Sequence, residues 1–182
     1  MPRTALILPF LFCVLATAAV AQHNSGYAGL EQREIKALSP EQTQDLREGR
    51  GMGMSLPAEL NGSPGPLHVL QLRGQLAVTP EQAAQIERIR DDMATTAKRL
   101  GASIVQAETE LDASFKSGTA DETTLQTLTA RIGTLNGELR AAHLIAHLKT
   151  RRLLSDTQVA AYNAERGYGK AGITDAHTGH QH

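Results

Sequence analysis

The sequence predicts an all-α fold: one long antiparallel helical hairpin with short flanking helices, assembled as a homodimer. Two stretches of the chain repeat apolar residues at steps of three and four, the spacing of one face of a helix. The 182 residues include three Tyr, three Phe and no Trp, and the abundant residues are those that favour helices. This length suits one ordinary domain.

The charges nearly balance, with 18 Lys and Arg against 19 Asp and Glu. Binding of nucleic acid needs a basic surface, so this composition argues against a nucleic-acid partner. The sequence also contains no nucleophile motif, no glycine-rich phosphate loop and no His-Glu-x-x-His zinc motif. We therefore expect that the protein is not an enzyme and requires no cofactor.

Residues 1–21 have the pattern of a secretory signal peptide. Arg3 gives a short basic start, an apolar run follows, and Ala19-Val20-Ala21 has the small-x-small form of a cleavage site. The run is shorter than the ~20 residues of a membrane-spanning helix. We expect cleavage after Ala21 and a periplasmic protein without stable membrane insertion; the alternative is an uncleaved anchor. Cleavage also removes Cys13, the only cysteine.

Residues 22–29 are predicted to be a short disordered N-terminus, and residues 30–168 one helical domain. Glycine and proline turns break the first part of this domain into short pieces. The stretches that favour helix there are 30–48, with a break at Ser39-Pro40, then a piece around 57–60 and another at 67–76. After Gly167 the apolar periodicity ends, and residues 169–182 are predicted to be a disordered His-containing tail.

The predicted hairpin consists of long helices at about 80–116 and 120–151. Gly118 ends the first helix, and Thr119 with Glu122 predicts a capping box for the second. The short connection makes the two helices antiparallel. The apolar stripe of the first helix comprises Ile86, Ile89, Met93, Ala97, Leu100, Ile104, Ala107, Leu111 and Phe115. That of the second comprises Leu125, Leu128, Ile132, Leu135, Leu139, Ala142 and Ala146.

A two-helix hairpin leaves part of its apolar stripe uncovered. The short helices can cover some of it, and a second copy of the chain can cover more, so we expect a homodimer. Leu144, Ile145 and Leu148 form a second apolar face near the end of the second helix. Another element or subunit is expected to dock on that face.

Three segments share one pattern of helix start. Each has an apolar residue, a Ser or Thr, two further residues and a Gln, at 38–42, 78–82 and 154–158. The hydroxyl of a Ser or Thr N-cap accepts a backbone N–H, and a Gln at the third helical position reaches back to the cap residue. Each segment therefore predicts a capped helix start.

Segments 78–82 and 154–158, the hairpin between them and the signal peptide resemble the Spy/CpxP family of LTxxQ-motif periplasmic proteins. The resemblance covers roughly residues 76–165. That family includes ATP-independent chaperones, negative regulators of envelope-stress kinases, and related heavy-metal sensors of the CnrX and ZraP type. The resemblance implies a curved helical dimer whose concave face holds non-native proteins. This chain departs from the motif at Val78, where the family prefers Leu, and at Asp156-Thr157, which replaces Pro-Glu.

The function that this resemblance implies is a periplasmic ATP-independent chaperone that binds non-native periplasmic proteins through an amphipathic helical surface. The candidate client-binding residues lie on the apolar faces of the long helices: Met93, Leu100, Ile104, Leu111, Leu144, Ile145 and Leu148. The alternative is that these residues form the core or the dimer interface. A regulator that docks on a sensor kinase needs the same kind of exposed face.

The alternative function is a periplasmic heavy-metal sensor or metal-resistance protein of the same fold. His143 and His147 are four residues apart, on one helical face and within reach of one Zn, Cu or Ni ion. His143 borders the apolar stripe, and His147 is expected further toward solvent. His68, Glu59 or a residue of a second subunit would have to complete the site. Alternatively, the two histidines only make local hydrogen bonds.

Two further groups of residues are candidates for weaker metal binding. The tail carries His177, His180 and His182, and short His-rich tracts bind Zn, Cu or Ni loosely. Met52 and Met54 stand in a Gly-Met-Gly-Met run and offer two thioethers, which suit Cu(I). Alternatively, the two methionines fill gaps beneath a loop.

Overall fold

The computed structural model describes residues 26–168, and within this range the protein is helical and has no strand. A short 3₁₀ turn at Leu30–Gln32 precedes six α-helices. These are α1 (Pro40–Glu48), α2 (Leu56–Glu59), α3 (Pro66–Gln71), α4 (Pro80–Lys116), α5 (Glu122–Leu153) and α6 (Asp156–Glu165). The all-α fold and the long hairpin are confirmed. The predicted signal peptide and the His-containing tail lie outside the described residues.

All three predicted helix starts are capped as the sequence indicates. Ser39, Thr79 and Ser155 each accept the backbone N–H of the Gln three residues on. The side chain of that Gln in turn accepts the N–H of the cap residue, which completes a capping box. These boxes set the starts of α1, α4 and α6.

The turn of the hairpin differs from its prediction. Gly118 has a φ of +71° after the end of α4, in the left-handed region that glycine tolerates. The cap of α5 is Asp121, whose carboxylate accepts the N–H of Thr124 at 2.7 Å. The predicted capping box of Thr119 and Glu122 is therefore wrong, and Thr119 belongs to the turn. As a result α5 begins at Glu122 rather than at residue 120.

Two apolar clusters hold the helices together. The first joins α1 to the middle of the hairpin: Ile35, Leu46, Ala97, Leu100, Ile104, Val105 and Leu139. The second joins α3, the start of α4 and α6: Val69, Leu76, Ile86, Leu154, Val159 and Tyr162. In the first cluster α1 approaches α4 so closely that a Cβ on Gly101 would lie 1.8 Å from the carbonyl oxygen of Leu46. Only glycine permits this approach.

Candidate functional site

His143 and His147 lie one turn apart on α5, and both are buried, with 4% and 8% of their surface exposed. The expectation that His147 lies further toward solvent is wrong, because the loop before α3 covers it. A Cβ on Gly65 would lie 2.9 Å from ring atom Cε1 of His147, and one on Gly51 would lie 3.7 Å from the His143 ring. The absence of a side chain at Gly65 therefore lets the loop before α3 close over His147, whereas a Cβ at Gly51 would make an ordinary contact.

His147 is held by one strong hydrogen bond. Its Nδ1 lies 2.8 Å from the carbonyl oxygen of Ser63, and a carbonyl oxygen only accepts, so Nδ1 donates. In the neutral ring Nε2 is then the nitrogen with the free lone pair. A carboxylate oxygen of Glu59 lies 3.6 Å from the same Nδ1.

Glu59 is a buried carboxylate that joins α2, α3 and α6. It accepts hydrogen bonds from the hydroxyl of Tyr162, from the hydroxyl of Tyr168 at 3.0 Å and from the N–H of Gly65 at 3.1 Å. Burial raises the pKa of Glu59, but the two tyrosine hydrogen bonds and the nearby His68 outweigh burial and hold it below its ordinary value. Burial, followed by the hydrogen bond to Glu59 and its charge, raises the pKa of Tyr162. Glu59 is thus charged and Tyr162 neutral at neutral pH.

His143 has an unsatisfied polar atom. Its Nε2 is buried and has no hydrogen-bond partner in the described part of the chain. Burial, and then the nearby His147, lower the pKa of His143, so its ring is neutral at neutral pH. A buried polar group without a partner costs about 1–3 kcal/mol.

The predicted metal-binding residues do not form a complete ligand set in residues 26–168, where no group of three or more His, Cys, Asp or Glu side chains is placed to hold a metal ion. Glu59 and His68 do lie close to each other, with 3.5 Å between a carboxylate oxygen and Nδ1. Glu59, however, already accepts the tyrosine hydrogen bonds, and Nδ1 of His147 already donates to a carbonyl. His143 and His147 remain two candidate donors, whereas a tight zinc site has three or four.

The two methionines of the Gly-Met-Gly-Met run occupy different environments. Met52 is 39% exposed and its backbone has a φ of +43°, in the left-handed region. Met54 is partly buried and packs against the first apolar cluster. The structure therefore packs Met54 against the core and leaves Met52 at the surface. The tail residues His177, His180 and His182 lie outside the described residues.

The two histidines line a cleft where the turns around α1, α2 and α3 meet the hairpin. The cleft has a volume of about 430 Å³. We call it the histidine cleft, and its lining comprises Gly49, Arg50, Gly51, Ser55, Gly65, Pro66, Leu67, His68, Arg90, Met93, Ala94, His143 and His147.

The candidate client-binding residues fall into three groups. Leu100 and Ile104 are 2% and 1% exposed and belong to the first apolar cluster, so in the described chain they serve the core. The half-buried residues are Met93, Leu111 and Leu144. The exposed residues are Ile145 and Leu148.

An open groove runs along the line where α4 meets α5, and the described residues that line it all belong to these two helices. We call it the seam groove. Its apolar residues are Ile89, Met93, Ala142, Ile145, Ala146 and Leu153, and its charged residues are Arg88, Asp92, Lys149 and Arg152. Sequence reasoning found Met93 and Ile145 but placed them on different faces; their meeting depends on how the two helices pack.

The last two helix-start motifs meet in space, which sequence reasoning missed. Nε2 of Gln82 donates to Oε1 of Gln158 at 3.0 Å, and Nε2 of Gln158 donates back to Oε1 of Gln82 at 2.9 Å. Each amide also donates to a backbone carbonyl just before the other motif. Gln82 donates to that of Leu153 at 2.6 Å, and Gln158 to that of Leu76 at 3.2 Å, with the carbonyl of Ala77 at 3.4 Å. Gln42 in the first motif makes the capping box without such a pair.

A family model described as "LTXXQ motif family protein" matches residues 67–166, from α3 to the end of α6, including both paired motifs. The chain belongs to the LTXXQ motif family. This family includes Spy/CpxP-type periplasmic proteins, and its members are non-enzymatic proteins of the chaperone or sensor type. No curated protein and no solved structure matches the chain. Within residues 26–168, no helix has both the length and the apolar character that crossing a membrane requires.

Proposed function

We propose that this LTXXQ family protein is a periplasmic chaperone that binds non-native proteins, without ATP, in the seam groove. The groove is the observation that carries the proposal. Ile145 is 49% exposed there, and Ile89, Met93 and Leu153 are half-buried beside charged side chains. Open apolar surface of this kind marks sites of protein interaction.

The groove suits weak and reversible binding. Burying one Leu- or Ile-sized side chain contributes about 1.5–3 kcal/mol, so a few client side chains in the groove give a modest affinity. The neighbouring charges, among them Asp92 and Lys149, keep the bound complex soluble. Clients can therefore leave without an energy source.

The periplasm is the compartment that we propose. The family is typically periplasmic. The predicted signal peptide at 1–21 agrees with that location, and its cleavage leaves the predicted mature chain, residues 22–182.

The decisive experiment follows the light scattering of a denatured client mixed with residues 22–182 in EDTA, without ATP. We expect near-stoichiometric amounts to suppress aggregation, and Ile145→Asp to weaken suppression several-fold because it places a charge in the groove. The matched control is Phe115→Asp, which removes a side chain that is 62% exposed at the hairpin turn, outside the groove. Circular dichroism verifies that both variants keep their helices.

Three results would contradict the proposal. If the protein suppresses client aggregation neither in EDTA nor with added metal, it is not a chaperone. If Ile145→Asp suppresses as well as the parent, clients do not bind in the seam groove. If Ile145→Asp turns a dimer into a monomer by sedimentation while suppression persists, the groove is instead the interface of the proposed homodimer.

The metal sensor remains the second proposal, favoured by the buried, unpartnered Nε2 of His143 beside His147. It predicts that His143→Ala with His147→Ala abolishes stoichiometric binding of Zn, Cu or Ni to a chain that lacks residues 169–182. Unchanged metal binding by this double variant would exclude the pair as a site.

A further inference from the structure

The histidine cleft has the dimensions and lining of a small-molecule site, and neither the seam groove nor the family match accounts for it. Its volume of about 430 Å³ lies within the ~300–1,000 Å³ that is usual for ligand pockets. Pro66, Leu67, Met93 and Ala94 supply apolar walls, and three glycines leave space between them. Such a lining accommodates an apolar body.

The cleft offers two guanidinium groups to a ligand. Of the described residues that line it, Arg50 and Arg90 are the arginines and none is acidic. Arg50 is 56% exposed and paired with Asp45 and Glu48, and Arg90 is 38% exposed and paired with its neighbour Asp91. Exposed ion pairs contribute only about 0–1 kcal/mol, so a guanidinium can exchange such a partner for a ligand carboxylate, which it binds bidentately.

The other polar groups of the cleft are the hydroxyl of Ser55 and the rings of His68, His143 and His147. Ser55 supplies the one hydroxyl among the described lining residues. A peptide in the cleft would bring backbone N–H and C=O groups that need partners, whereas a hydrocarbon chain brings none.

We propose that the histidine cleft binds a medium-chain fatty acid, with the hydrocarbon chain among the apolar walls and the carboxylate at Arg50 and Arg90. Glu59 does not line the cleft: the two tyrosine hydroxyls and the N–H of Gly65 hold its carboxylate behind the wall at Gly65. The proposal does not rest on client binding in the seam groove, although Met93 lines both surfaces.

Calorimetric titration of residues 22–182 in EDTA tests the head group and the chain separately. Decanoate, decanol and decyltrimethylammonium share one hydrocarbon chain and differ in charge. We expect one decanoate per protein chain, bound at least ten-fold more tightly than the other two. Equal binding of all three would overturn the proposal, because the arginines would then contribute no selectivity.

Variants locate the site. Arg50→Gln with Arg90→Gln should weaken decanoate binding at least ten-fold, whereas the control Arg88→Gln, at the seam groove, should not change it. Ala94→Phe fills the cleft and should abolish decanoate binding. If circular dichroism shows that Ala94→Phe unfolds the protein, the smaller change Ala94→Leu is used in its place. Decanoate should also shift the imidazole nitrogen resonances of His143. Unchanged binding by the filled variant, or an equal loss in Arg88→Gln, would place the ligand elsewhere and refute the cleft.

Discussion

Replacing Gly101 with Ala tests how α1 is held against the hairpin. The added Cβ would lie 1.8 Å from the carbonyl oxygen of Leu46 and 2.5 Å from its carbonyl carbon. Both are backbone atoms, so no side-chain rotation relieves the clash, and α1 has to move away from α4. Leu46, which is 3% exposed, then loses part of its burial, and the cleft residues Arg50 and Gly51 move with it.

The expected loss outweighs the local gain. In a helix interior Ala is favoured over Gly by about 1 kcal/mol. Against this gain stands the partial uncovering of Leu46 and of Ile35 in the same cluster. Complete uncovering of either side chain would cost roughly 1.5–3 kcal/mol, so partial uncovering of both costs roughly 2–4 kcal/mol. We expect the free energy of unfolding to fall by about 1–3 kcal/mol, as is typical of overpacked sites. For a domain of this size that corresponds to a Tm lower by roughly 3–10 °C.

Thermal denaturation followed by circular dichroism measures the effect. The matched control is Gly137→Ala in α5, where an added Cβ meets nothing within 4 Å. The control should gain about 0.4–1 kcal/mol from helix propensity and reduced freedom of the unfolded chain. If Gly101→Ala is as stable as Gly137→Ala, α1 does not approach α4 this closely and the reasoning fails. Faster amide hydrogen exchange confined to α1 would show that the helix is released locally.

Three further changes test the caps and the buried carboxylate. Gln82→Ala removes a capping bond and the amide pair, so urea denaturation should show that the free energy of unfolding falls by about 1–3 kcal/mol. In the control Gln42→Ala it should fall by about 1 kcal/mol, because Gln42 makes no such pair. Equal losses would contradict the pairing. Because the pKa of Glu59 is lowered from 4.5 in the folded chain, its charge stabilises the fold above that pH and the contribution is lost as the pH falls through the folded pKa. The Tm difference between the parent and Glu59→Gln should therefore shrink from pH 7 to pH 3, and a constant difference would argue against the linkage. In urea denaturation, Asp121→Ala should lower the free energy of unfolding by about 1 kcal/mol and Thr119→Ala by about a few tenths of that. The reverse order would show that Thr119 caps α5.

The sequence predicts elements well where the deciding interactions are local. The start of α4 follows from Thr79, Pro80 and Gln82, which lie within one turn of one another, and α4 begins where they indicate. The predicted cap of α5, Thr119, was wrong because Asp121, two residues further on, is also a good N-cap residue. The structure decides between them because the N–H of Thr119 bonds to the carbonyl of Ser114 and so closes the end of α4.

The candidate site depends on contacts between distant residues, which periodicity and caps do not encode. Glu59 and Tyr162 are 103 positions apart, and no pattern in either segment predicts their hydrogen bond. A helical wheel places His147 toward solvent because it shows the faces of α5 alone. The loop that covers His147 comes from a distant part of the sequence. The same limit applies to Leu100: its position on an apolar stripe was correct, but only the packing of α1 makes it core.

The family match covers the two concave surfaces to different extents. The seam groove lies wholly inside the matched stretch 67–166, whereas the histidine cleft crosses its boundary: Arg90 lies inside the stretch, and Arg50 and Ser55 lie outside it. Properties shared with the family should therefore depend on the groove, and fatty-acid binding on the cleft. Ile145→Asp should impair client binding while decanoate still binds, and Arg50→Gln with Arg90→Gln should do the opposite. Met93 lines both surfaces, so a substitution of Met93 should affect both activities. If Ile145→Asp alone, or Arg50→Gln with Arg90→Gln, abolished both activities, the two surfaces would be one site.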